Sequence, residues 1–210
     1  MDILIVAATE LEIKPFLEEK TKADILITGI GITAATFHFA KKLLDKKYDL
    51  AIQAGIAGTF NSKFNLGQVV FVKADTFADS GIEENGKLQT LFETGFINKN
   101  DFPYTNGWLV NNNSLLQKNN IPVVKAVTVN KITDIHLQNQ FTKEKFSADI
   151  ESMEGAAFHY VSLQQKIEFL QIRAVSNFVG ERDKTKWEMK GAIGNLNKEL
   201  LALIKKYKQL

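Results

Sequence analysis

The sequence predicts an α/β fold: a three-layer sandwich with helices on both faces of a central, twisted, mostly parallel (mixed) sheet, in one domain spanning residues 1–210. Short continuous apolar runs at residues 3–8, 23–28, 50–53, 68–73, 123–129 and 167–176 have the length and composition of strands buried on both faces. Stretches with helical spacing lie between several of them, and strands alternating with helices call for a mostly parallel sheet. A chain of this length can bury a full core, and no repeat, linker or low-complexity tract divides it.

The elements follow in order. After the first strand, Thr9-Glu10-Leu11-Glu12 opens a helix that Pro15 should break. The second strand ends in Gly29-Ile30-Gly31, and Ile32, Ala35, Phe39 and Leu43 are spaced for one face of the helix that follows. Gly29, Gly31 and Ala34 imitate a dinucleotide fingerprint, but the next strand ends in Gln53-Ala54-Gly55 without the acid that a ribose would need. A tight turn bringing backbone N–H groups to a small ligand is the better reading, and Gly55-Ile56-Ala57-Gly58 repeats it. Residues 74–107 are too long for a plain turn and should cover a site or form a subunit contact. Residues 150–165 read as mainly helix. Residues 186–208 close the chain as an amphipathic helix with Trp187, Ile193, Leu196, Leu200 and Leu203/Ile204 on its buried stripe.

Composition excludes several functions. The formal charge of +2 comes from scattered lysines, and Arg173 and Arg182 are the two arginines, so a nucleic-acid-reading surface is not expected. The absence of cysteine removes disulfides, thiolate metal sites and a cysteine nucleophile. His38, His136 and His159 show no ligand spacing, so no metal is implied, and Ser80 and Ser176 have no visible histidine–acid partner. Without a signal peptide or an apolar run of about 20 residues, a cytoplasmic protein without membrane contact is expected.

Five segments carry the candidate chemistry: Glu10-x-Glu12, Gly29-Ile30-Gly31, Gly55-Ile56-Ala57-Gly58, Met153-Glu154-Gly155-Ala156 and Arg173-Ala174-Val175-Ser176-Asn177. In this order they resemble the nucleoside phosphorylase and nucleosidase family over nearly the whole chain. Asp79-Ser80-Gly81-Ile82-Glu83, Glu151-Ser152-Met153-Glu154-Gly155-Ala156-Ala157, and Ser176-Asn177 followed by Glu181-Arg182-Asp183 and Trp187 are most similar to its futalosine-cleaving nucleosidases, which serve menaquinone formation. The resemblance implies a nucleoside-phosphorylase-like fold, a small-molecule nucleoside substrate, no cofactor, and a homo-oligomer, dimer or tetramer.

It also implies roles. Glu12 matches the family's water-activating acid, although spacing alone favours an exposed acid in a helix's first turn. Glu154 matches the acid that grips both ribose hydroxyls; at a helix amino end it should stay ionised, and Met153 should flank the sugar. Ile56, Ala57, Gly58 and Ser176 complete the substrate contacts. Asn177 stands where methylthioadenosine/S-adenosylhomocysteine nucleosidases carry an Asp. Its amide can donate to purine N7 and a 6-oxo group, which favours hypoxanthine over adenine; the bland alternative is a strand-ending asparagine. Arg182, Lys184, Lys186 and Trp187 are candidates for the substrate's 5′ substituent or, equally, a solvated face and a core tryptophan. Phe77 and Phe102 are further candidates. A phosphorylase would need arginines beside the glycine turns of the first half, where none is expected.

Overall fold

The computed structural model describes residues 1–208. Its strands are β1 (Ile3–Ala7), β2 (Asp24–Ile27), β3 (Leu50–Thr59), β4 (Val69–Asp75), β5 (Gly81–Glu84), β6 (Lys87–Thr90), β7 (Leu109–Val110), β8 (Val123–Thr128), β9 (Ile150–Ser152) and β10 (Phe169–Phe178). The helices are α1 (Glu10–Leu17), α2 (Ile32–Asp45), α3 (His136–Phe146), α4 (Gly155–Gln164) and α5 (Met189–Lys208). All strands but the β5–β6 hairpin belong to one eight-stranded sheet.

The apolar runs become strands because each buries both faces. Ile3, Ile5 and Ala7 of β1, with Leu50, Ile52 and Ala54 of β3, face a core completed by α1 and α5. Leu4, Val6 and Ala51 face the opposite core, completed by Phe39 of α2 and Phe158 and Val161 of α4. These are the three layers. The sheet is mixed: β1–β2, β1–β3, β3–β10, β4–β8 and β8–β9 are parallel, while β4–β10, β3–β9 and β4–β7 are antiparallel. Strand β3 has β1 along the first half of one edge, β9 along the second, and β10 along the other edge. Because β10 also pairs with β4, the circuit β3–β10–β4–β8–β9 closes on itself. Ala57, Val70, Val72, Val124, Ala126, Ile150 and Val175 form a third core from these five strands.

Several expectations are corrected. The Gly55-Ile56-Ala57-Gly58 step is not a turn but the second half of β3, extended and paired with both β10 and β9. The 150–165 segment divides into β9 and α4, and Glu154 is the residue capping the helix. Trp187 lies before α5, after a short 3₁₀ turn at Lys184–Lys186, and so does not belong to the helical stripe. Helix α3 gives no apolar period in the sequence because it is polar on most sides; Asn139 is its one buried residue. In α1 the helix survives Pro15, but Ile13 leaves helical geometry (φ −119°, ψ 17°) and the backbone kinks there. No helix among the described residues is long and apolar enough to cross a membrane.

Candidate active site

A cavity of about 210 Å³ opens where the carboxyl ends of β1, β3 and β10 meet the segment joining β9 to α4. In open α/β sheets this end collects ligand sites, since loops and helix amino ends converge there. Glu12, Ile56, Ala57, Gly58, Met153, Glu154, Ser176, Asn177 and Trp187 all line it. Arg182 does not: it is exposed on the loop outside the lining. Lys184 is also exposed, and Lys186 is paired to Glu181 at 2.8 Å. Phe77 pairs its backbone with Thr128, and Phe102 is 64% exposed; neither reaches the cavity, nor does any residue of 74–107.

Glu12 is the third residue of α1, where a side chain can turn back onto the helix start. Its Oε2 accepts from the Thr9 N–H and hydroxyl, both at 3.1 Å, the reach-back half of a capping box. Its Oε1 accepts from the Ile56 N–H at 3.0 Å. Three donors therefore orient a carboxylate that is 8% exposed. The Ile56 contact depends on Gly55: a Cβ there would stand 2.8 Å from Glu12 Oε1 and 2.4 Å from Arg173 Nη1.

Glu154 is the residue before α4. Its Oε1 accepts from the Gly31 N–H at 2.9 Å, and its Oε2 stands 3.9 Å from Arg173 Nη1. Gly31 can present that N–H because its φ of 94° is open to glycine. Burial pushes the Glu154 carboxyl above the ordinary range, against the opposing pull of Arg173 and the Gly31 N–H.

Asn177 reaches the cavity through a β-bulge. Val175 pairs with Ala57 but Asn177 pairs with Gly58, so Ser176 is the extra residue. Without the bulge Asn177 would share Val175's face, which is buried within the closed circuit. Ser176 Oγ then donates to Asn177 Oδ1 at 2.7 Å, and Asn177 Nδ2 donates to the Phe178 carbonyl at 2.9 Å. One amide N–H is left for a ligand, fewer than the two that reading N7 and a 6-oxo group together would use. Trp187 is held beside the cavity by its indole N–H, which donates to the Glu181 carbonyl at 3.0 Å.

Beneath the cavity lies a buried polar layer. Arg173, 1% exposed, donates through Nη2 to Gln53 Oε1 at 2.8 Å and through Nη1 to the Ile56 carbonyl at 3.4 Å. It stands beside the Gly55–Gly58 segment after all, with donors given to Gln53, Ile56 and Gln171 and its guanidinium facing Glu154. The Gln171 amide, oriented to satisfy its neighbours, donates to His159 Nε2 (2.8 Å) and Asp75 Oδ2 (3.3 Å) and accepts from Arg173 Nε (3.1 Å). His159 Nδ1 in turn meets the Leu109 carbonyl at 2.9 Å. Thr128 Oγ1 donates to Asp75 Oδ1 at 2.9 Å and accepts from the Ala156 N–H at 2.7 Å, fixing the first turn of α4. Burial pushes Asp75 up to about 7 and His159 down to about 4.

Three groups that the motifs contain take places in the site that the sequence alone does not assign them. Arg173 read as a structural ion pair, and its isolation in an apolar strand was the one signal that it serves a buried acid. Glu151 and Glu181 also line the cavity; nothing in their local spacing distinguishes them from surface acids. The cavity is therefore lined by Glu12, Glu151, Glu154 and Glu181 and by no lysine, arginine or histidine among the described residues.

Four carboxyl groups and one amide around the cavity suit a polar, neutral or cationic small molecule. The chain belongs to the phosphorylase superfamily, whose family model matches residues 19–208. Among curated proteins it is similar to the futalosine hydrolase of Thermus thermophilus, 27% identical over 96% of this chain and 94% of that one. It is also similar to that of Streptomyces coelicolor, 28% identical over 82% of this chain and 74% of that one. Among solved structures it matches the methylthioadenosine/S-adenosylhomocysteine nucleosidase of Colwellia psychrerythraea in complex with adenine, with a TM-score of 0.80, 20% identity and coverage of 98% and 95%. Futalosine hydrolase of Helicobacter pylori matches with a TM-score of 0.78, 15% identity and coverage of 98% of both chains. These structures share the fold.

Proposed function

We propose that this protein is an N-glycosyl hydrolase that splits futalosine, a hypoxanthine nucleoside, into hypoxanthine and dehypoxanthine futalosine in menaquinone formation. The observation that carries the reading is the pairing of a firmly oriented Glu12 with a cavity that, among the described residues, no cationic side chain lines. A phosphorylase must hold an anion beside C1′, where these carboxylates would repel it; water needs only a base. The Thermus relative, similar end to end, supports the substrate.

In this reading Glu154 accepts hydrogen bonds from the ribose 2′- and 3′-hydroxyls while Met153 covers the sugar. Water attacks C1′ and gives a proton to Glu12 as the C1′–N9 bond breaks. The bonding pair moves onto the purine, where the free N–H of Asn177 meets N7 or the 6-oxo group as charge accumulates, and the departing base takes up a proton from Glu12 or water to leave as hypoxanthine. Ile56, Ala57 and Gly58 line the floor, Ser176 holds Asn177, and Trp187 offers a face to the 5′ substituent. Arg182 could reach that substituent only with movement of its loop. The enzyme would work in the cytoplasm as a homo-oligomer; Leu11 and Ile30, apolar and exposed at the cavity mouth, support a subunit contact there.

The test is base release from futalosine, inosine and methylthioadenosine, each with and without phosphate. Hypoxanthine from futalosine, independent of phosphate, is the expected result. Adenine from methylthioadenosine would transfer the protein to the adenine-releasing nucleosidases, and phosphate dependence to the phosphorylases. Glu12→Gln should lower kcat by roughly 10²–10⁴-fold with little change in KM, the range general-base removal produces.

A further inference from the structure

We infer that Glu151 is a second base-reading residue, whose carboxyl accepts a hydrogen bond from the N1–H that 6-oxopurines carry and adenine lacks. This rests on the reading of the cavity as a purine nucleoside site and deepens it.

The geometry comes from strand register. Residue pairs directly opposite on neighbouring strands project to the same face. Gly58 of β3 pairs with Glu151 of β9 on one edge and with Asn177 of β10 on the other. The three therefore form a row across the sheet on the cavity side, and all three line the cavity. Gly58 carries no side chain, so the row is a slot walled by a carboxyl at one end and an amide at the other. Adjacent strands lie about 4.8 Å apart, which separates the two backbones by roughly 10 Å. That spacing admits a purine ring with a hydrogen bond at each edge.

Two further observations mark Glu151 as built for a ligand. It is 9% exposed, yet its carboxyl has no hydrogen-bond partner among the described residues, while Glu12 and Glu154 in the same cavity are held by backbone N–H groups. Its carboxyl opens onto the cavity, so a donor entering there can fill a place that no protein group takes. The exposed Asp79 stands nearby but is turned to the Asn130 N–H and amide, so it offers repulsion and no hydrogen bond. Burial and that repulsion push the Glu151 carboxyl up to about 7, and an N–H donor in the slot would relieve the penalty.

Second, Asn177 has a single N–H to spare, because its other N–H and its oxygen are taken by Phe178 and Ser176. It can recognise the N7 or 6-oxo side of the base but not also the adjoining N1 edge. A 6-oxopurine presents an acceptor and then a donor along those edges, and the slot presents a donor and then an acceptor. Adenine, with an acceptor at N1, has no hydrogen to offer the ionised carboxyl, so the discrimination is read above pH 7, where Glu151 is ionised.

The experiment is calorimetric binding of free hypoxanthine, 1-methylhypoxanthine and adenine to the full chain and to its Glu151→Ala and Glu151→Gln variants. Wild type should bind hypoxanthine about 10- to 100-fold more tightly than either of the other bases, the range for leaving a buried polar group unpaired. Glu151→Ala should lose that preference, and Glu151→Gln, which retains an acceptor oxygen, should keep part of it. Equal affinity of wild type for hypoxanthine and 1-methylhypoxanthine would overturn the assignment even if the variants failed to fold. So would a Glu151→Ala variant with unchanged preference. Failure of wild type to bind any of the three bases would instead remove the purine reading of the cavity.

Discussion

At the scale of single residues, the site depends on atoms that are missing as much as on those present. Gly55 sits where a methyl group would collide with the guanidinium of Arg173 and crowd the carboxylate of Glu12. Gly55→Ala should therefore lower kcat by at least 100-fold by displacing Glu12, a shift of the kind that positional errors of about 1 Å produce. Ordinary kinetics with near-native kcat would show that the cluster yields without cost. The buried layer below makes a pH prediction. Asp75 binds a proton more tightly in the folded chain (about 7) than in the unfolded one (3.8), so its contribution is lost as pH rises between those values. At about 1.4 kcal/mol per pH unit the loss is at most of order 4 kcal/mol. His159, held neutral with its value lowered from 6.5 to about 4, acts in the opposite sense: stability is lost as pH falls through that window. The two oppose each other between about pH 4 and 6.5. Asp75→Asn should leave the His159 slope uncovered, with stability rising more steeply with pH than in wild type in urea titrations; parallel profiles would refute the opposition.

At the scale of elements, α1 shows how a broken rule is compensated. In an unbroken helix the Phe16 N–H would bond to the Glu12 carbonyl. The kink opens that pair, and the side chain of Asn197 from α5 fills it: Phe16 N donates to Asn197 Oδ1 at 3.0 Å, and Asn197 Nδ2 donates to the Glu12 carbonyl at 2.9 Å. Asn197→Ala would leave two buried backbone groups unpaired, at about 1–3 kcal/mol each. It should lower the melting temperature and, by loosening the backbone under Glu12, reduce kcat more than KM. A variant with lowered stability but wild-type kcat would limit Asn197 to a structural role. This contact was invisible in sequence: an asparagine in an amphipathic helix carries no mark of a partner 185 residues away. Elements with strong local patterns were legible, such as β1, whose two faces are both buried, and α5, whose Leu196, Leu200 and Leu203 keep their stripe. Patterns that serve tertiary needs misled. The glycines of β3 imitate a turn but are there for close packing of Arg173, Glu12 and Asn177. Strand β9 has three residues and no independent period, so it merged with the helix after it. Glu12, Glu154 and Asn177 were found through motifs, whereas Glu151 takes its place from register, which only the paired sheet defines.

At the scale of the whole molecule, the cavity has no local owner. Glu12 is tied by its backbone to α5 and by its carboxylate to β3, 44 residues on. Glu154 is tied to Gly31 across 123 residues, and Arg173 to Gln53 across 120. The ends of these contacts lie in strands of the sheet, in helices packed on it or at the first residues leading into those helices. No single hairpin or helix pair could keep the site while the rest unfolded, so site and core should melt as one cooperative unit. The two tryptophans allow this to be measured. Trp187 lines the cavity, while Trp108 sits away from it, edge-on to Phe146 and under the Lys125 ammonium. With Trp108→Phe, emission reports the cavity alone, and its urea transition should coincide with loss of far-UV circular dichroism and of activity. An earlier transition in Trp187 emission and activity would mean that the loop between β10 and α5 opens independently. Substrate access would then be governed by that segment rather than by a cavity preformed in the folded sheet.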